Sequence, residues 1–246
     1  MRCPGLTAVM LATALVATSS VGQEMPAPAQ GYLFGQPRLL TQQLIWGLAH
    51  GVKLLATTCA DSANGPVATA YAEWFGRHGA RIAAAERDLA QHYFGRDTAS
   101  EEDLAGAMHL AGMLHQRPDE MDMACASFAR AIAGERYDLE LFYRLHRDAA
   151  RIERARAVHS RVGACLKQLP AESAAALAAK FATWTEANGT LENVSRSRLF
   201  DHDRDPSWQR DAGSGAEPPT VTCPQLAAAL DRSDYALSDV FGDADQ

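Results

Sequence analysis

Residues 65–95 read GPVATAYAEWFGRHGARIAAAERDLAQHYFG, and their spacing decides the fold. Pro66 sits where a first helical residue is expected, and Gly95 lies just past the last periodic position. Between them Val67, Tyr71, Trp74, His78, Ile82, Ala85, Leu89 and Tyr93 recur at steps of three and four, with Phe75 beside them. That repeat is one face of a single helix. At about 1.5 Å per residue the helix is roughly 43 Å long. Ala72, Gly76, Ala80 and Ala83 form a small-residue line beside the stripe, where a neighbouring helix can approach closely. Gly76 and Gly79 each cost about 1 kcal/mol against alanine, so packing is expected to compensate.

Outward from this rod the chain supplies more helices. Toward the N-terminus, Leu40, Leu44, Leu48, Val52, Leu55 and Cys59 mark one face of a helix over 39–60. Ile45, Trp46 and Leu54 widen that face, the mark of a helix buried on much of its circumference. Toward the C-terminus, Ser100 is placed to cap a helix whose first turn holds Glu101, Glu102 and Asp103. That helix is expected to run to about Gln116. Pro118 starts the next, with Met121, Cys125, Phe128 and Ile132 as its stripe and Gly134 as its stop.

A second long helix is expected over about 136–168, from Leu139 through Ile152 to Leu169 in unbroken period. Its other face carries Arg144, Arg147, Asp148, Arg151, Glu153, Arg154 and Arg156. A solvated surface is the plain reading of such a face, and an anion or acidic-partner patch the functional one. Pro170 opens a further helix ending at Ala187, with Asn188–Gly189 read as its stop. Residues 190–222 then read as a long loop rich in Gly and Pro. Cys223 and Pro224 introduce a short helix, and an acidic end follows with Tyr235, Leu237, Val240 and Phe241 as its only sizeable apolar residues.

No stretch alternates like a strand. The expectation is an all-α antiparallel bundle of six or seven helices, with two long ones over 66–94 and 136–168. The divisions read from the sequence are a signal peptide over 1–22, an extended lead-in over 23–38, a helical domain over 39–189 and a loop-rich extension over 190–246.

Residues 1–22 have the layout of a secretory leader: Arg2, an apolar run over 6–16, then small residues to Gly22. The run is too short to span a bilayer, and no later run is long enough. Without the leader, 22 Lys and Arg face 30 Asp and Glu, a net charge of −8 that argues against nucleic acid. Alanine and arginine are abundant and lysine is scarce, a composition typical of GC-rich bacteria. Four cysteines remain, Cys59, Cys125, Cys165 and Cys223, without a CxxC pair. An even count in an exported chain points to two disulfides. Three pairings are open, and the sequence does not choose among them. The layout favours Cys59–Cys125 with Cys165–Cys223, since each pair can meet near helix ends.

The one unusual composition is AMHLAGMLHQRPDEMDMAC, residues 107–125. Met108, His109, Met113 and His115 combine thioether and imidazole, a donor set suited to copper, and His109 and Met113 are four apart on the expected helix. Core packing is the competing reading, since methionine fills irregular gaps. His78 lies within an apolar stripe, where a buried imidazole needs a partner. Asp201, Asp203 and Asp205 alternate like a calcium loop, but Pro206 stands where glycine is required. Catalytic signatures such as G-x-S-x-G and H-E-x-x-H are absent. The sequence therefore points to an exported non-catalytic binding protein of the bacterial envelope that engages a protein partner in an inhibitor, immunity or accessory-type role, with periplasmic copper handling through the Met/His segment and an unrecognised helical enzyme as alternatives.

Overall fold

The computed structural model describes residues 31–60, 66–112, 114, 118–202 and 221–241. The leader, Met113, His115, Asp203 and Asp205 lie outside the described residues. Among the described residues there are seven α-helices and no strand. They are α1 (Pro37–Ala60), α2 (Pro66–Phe94), α3 (Glu101–Ala107), α4 (Pro118–Ile132), α5 (Leu139–Leu166), α6 (Ala171–His202) and α7 (Cys223–Asp231). Short 3-10 turns occupy Glu135–Tyr137 and Ser238–Val240.

Helix α2 begins and ends where its punctuation places it, and Gly95 closes it in the left-handed conformation at φ 64°. Its aromatic stripe is buried: Trp74 is fully covered, and its indole N–H donates to the Tyr137 carbonyl at 2.8 Å. The small-residue line is not covered. Ala72, Gly76 and Ala80 are exposed, so among the described residues no neighbour offsets the cost of Gly76. Helix α1 packs instead along the apolar stripe, held by Arg38 and Gln42, which both donate to Asp88 at 2.8 Å.

Two main hydrophobic cores share α5, and a small third cluster of Ala149, Ile152 and Leu199 lies between α5 and α6. The first joins α1, α2, α3 and α4 to the first turns of α5, around Trp74, Phe128, Ile45 and Leu139. The second joins the C-terminal half of α5 to α6 and α7, around Val158, Leu177, Trp184 and Leu226. Cys59–Cys125 ties α1 to α4 in the first core, and Cys165–Cys223 ties α5 to α7 in the second. The chain after α7 stitches the cores together. Leu237 is buried in the second, while Val240 and Phe241 are buried in the first. The apolar residues of the acidic end are thus docked.

Three expectations are corrected. Helix α6 runs through Asn188–Gly189 to His202, so residues 190–202 belong to the helical body and the extension begins later. Asn188 is buried in mid-helix, where its side chain donates to the Trp184 carbonyl and accepts the Leu237 N–H at 2.8 Å. Its polar groups are used for tertiary anchoring rather than for termination. Second, α3 stops at Ala107. Leu110 N donates to the Ala105 carbonyl and His109 N to the Gly106 carbonyl, a Schellman turn with His109 at φ 55°. Third, the charged face of α5 is not simply solvated. Asp148 is 0% exposed; it accepts from Arg151 at 3.1 Å and from Ser195 on α6 at 2.9 Å. Arg151 in turn donates to the Leu237 carbonyl.

Candidate functional site

Helices α1 and α5 run antiparallel at the surface and leave a groove between them. Leu44, Gly47 and Leu48 form its α1 wall. Leu141, Phe142, Leu145 and His146, one and a half turns of α5, form the other. Leu110 closes one side, because the Schellman turn after α3 aims it back at the core, and Tyr32 closes another. The hollow measures about 550 Å³, within the range of ligand pockets, and its lining is chiefly apolar. Glu135 and Arg136 supply charge at its rim.

The segment before α1 is held in place by one buried glutamine. The Gln43 carbonyl oxygen accepts the Leu33 N–H at 2.9 Å, and its amide donates to the Gly31 carbonyl at 2.9 Å. The Tyr93 hydroxyl donates to the same carbonyl at 2.8 Å and contacts the Gln43 amide. Gly31 N reaches the Ala107 carbonyl at 3.0 Å. With its backbone pinned on both sides, this segment holds Tyr32 and Phe34 outward, 38% and 50% exposed. Tyr32 borders the hollow just described, and Phe34 borders a second one farther along the same groove.

His146 faces both hollows, its ring 4.2 Å from that of Phe142. Burial pulls its pKa down to about 4, so it is a neutral imidazole at pH 7. His78 is placed differently, buried against Trp74 with its Nδ1 lacking a hydrogen-bond partner. Burial lowers its pKa as well. At the other end of α1, His50 stacks on Trp46 and uses both ring nitrogens, one on Glu101 and one on the Ala111 carbonyl, each at 2.9 Å. Lys53 meets the second Glu101 oxygen, so this cluster ties α1 to α3.

Of the Met/His set only Met108 and His109 are among the described residues, and both lie past the end of α3. Met108 is buried in the first core, whereas His109 is exposed in the left-handed turn. Among the described residues no group of three or more His, Cys, Asp or Glu side chains is placed to hold a metal ion. All four cysteines are paired, in the arrangement the layout favours. The groove residues were only half visible in the sequence. Leu44 and Leu48 belong to the wide stripe of α1, whose excess width was the available signal; read as core, it forms a groove wall. Tyr32 and Phe34 carry no periodicity and gave none.

No helix among the described residues is long and apolar enough to cross a membrane. Comparisons with protein-family models, with characterised proteins and with solved structures found no match to this chain.

Proposed function

We propose that this is an exported, non-catalytic binding protein of the bacterial envelope that engages a protein partner through the α1–α5 groove. The observation that carries the reading is the groove itself: an apolar floor, a charged rim, and two aromatic side chains held outward beside it by a buried glutamine. Apolar centres with polar rims and accessible tyrosine and phenylalanine are the anatomy of protein interfaces. Two disulfides and the leader-like start support an oxidising compartment.

A photo-reactive phenylalanine analogue at Leu145, in the exported protein within its own envelope, tests the reading. Irradiation is expected to join the chain to one defined protein, while the same analogue at exposed Glu186 on α6 gives no such adduct. Equal adducts at both positions, or none at Leu145, would remove the groove as the docking site.

A further inference from the structure

The second hollow of the groove, about 400 Å³, lies between the start of α1, the middle of α5 and the segment after α7. Phe34, Leu40, Ala150, Ala157 and Val158 give it an apolar body. Its charged residues are two acids, Glu153 and Asp234, and two arginines, Arg154 and Arg161. The balance looks neutral, but the pairing is not. Glu153 is engaged by Arg156, and Asp234 by Arg232 at 2.7 Å; neither of those arginines lines the hollow.

The two arginines of the hollow have only neutral acceptors. Arg154 donates to the Ala236 carbonyl at 2.9 Å, and Arg161 to the Tyr235 hydroxyl at 3.4 Å. Among the described residues no carboxylate lies within ion-pair distance of either; Asp239 acts on Arg154 only through space. Burial lowers the pKa of Arg154, and Asp239 and Tyr235, acting through space, offset only part of that cost. Seven residues apart, the two stand on one face of α5, and both reach the Tyr235–Ala236 dipeptide. Both guanidiniums line one apolar chamber, and each of its two acids is paired with an arginine outside it.

We propose that this hollow binds a small amphipathic anion, its carboxylate or phosphate head on Arg154 and Arg161 and its apolar body along Leu40, Ala157 and Val158. The arginine fork suits either head, and the chamber has the volume of a small-molecule site. This hollow belongs to the same groove and shares Phe34 and His146 with the proposed partner surface, but its test by small-molecule titration does not depend on that reading.

Calorimetric titration of the intact, disulfide-bonded chain with dodecanoate and dodecyl phosphate, each below its micelle concentration, and with dodecanol below its solubility limit, tests the proposal. One anion is expected to bind at one site per chain, at least ten-fold tighter than the alcohol, and the tighter of the two identifies the head group. Arg161→Gln is expected to weaken that anion about ten-fold and leave the alcohol unchanged, with Arg161→Lys recovering part of the loss. Ala157→Leu, which fills the chamber, is expected to weaken all three. No saturable binding, an alcohol bound as tightly as the anions, or an Arg161→Gln variant that binds as the wild type does would overturn the proposal.

Discussion

Asn188 and Gly189 form a pair whose local chemistry and tertiary role point in opposite directions. Asn-Gly favours a turn, yet here it sits inside α6 because the Asn188 amide bridges Trp184 and Leu237. Asn188→Ala leaves the buried Leu237 N–H without its acceptor and is expected to cost about 1–3 kcal/mol in denaturant titration, despite alanine's better helix propensity. Gly189→Ala meets open space within the helix and is expected to gain about 1 kcal/mol. A stabilised Asn188→Ala would mean that the residue does act as a stop. His109 offers a second contrast. At φ 55° it is strained, so His109→Gly is expected to stabilise the fold by about 1 kcal/mol. Copper that binds the wild-type chain and not that variant would instead support the metal reading. His146 sets a pH dependence. Its folded pKa of about 4 lies below the unfolded value of 6.5, so the unfolded chain takes up the proton first. Its contribution is full above pH 6.5 and is lost as the pH falls toward 4, up to about 3 kcal/mol. His146→Leu should flatten that part of the stability profile; an unchanged slope would assign it to other groups.

At the scale of elements, legibility followed punctuation. Helix α2 was readable end to end because Pro66 and Gly95 bound a strong apolar period. Helix α3 was not, because a histidine rather than a glycine takes the left-handed position and periodicity alone continues past it. The charged face of α5 misled for a related reason: a sequence pattern does not reveal that α6 will cover Asp148 and Arg151. Removing one member of that network strands the other. Asp148→Ala is expected to cost about 3–5 kcal/mol, a loss an exposed carboxylate would not produce. The cysteine bridge of the second core is a different kind of constraint. Cys165 and Cys223 close a loop with a sequence separation of 58, which is worth about 4 kcal/mol in the chain-entropy model. Replacing both by serine should raise hydrogen exchange in α7 and the segment after it while leaving α2 protected. Uniform loss of protection would mean that the two cores unfold as one.

For the whole molecule, the arrangement is a pair of helical cores built on one shared rod. Each core is tied by its own disulfide, and the C-terminal segment crosses from one to the other. The helix-only architecture was legible from period alone, whereas the cysteine pairing was only favoured, because the spacing left three pairings open until the helix ends were placed. The division into two cores was not, because α5 has one continuous apolar period and nothing in it marks where its neighbours change. Both sites proposed here depend on this plan: α5 forms a wall of the groove, and the crossing segment brings Tyr235 and Ala236 to Arg161 and Arg154. The most direct check is mass spectrometry of alkylated, unreduced peptides from protein collected outside the cytoplasm. The account predicts a chain lacking its first 22 or so residues, Cys59 linked to Cys125, Cys165 linked to Cys223, and no alkylated cysteine among the four. Four alkylated cysteines, or a link between Cys59 and either Cys165 or Cys223, would contradict it.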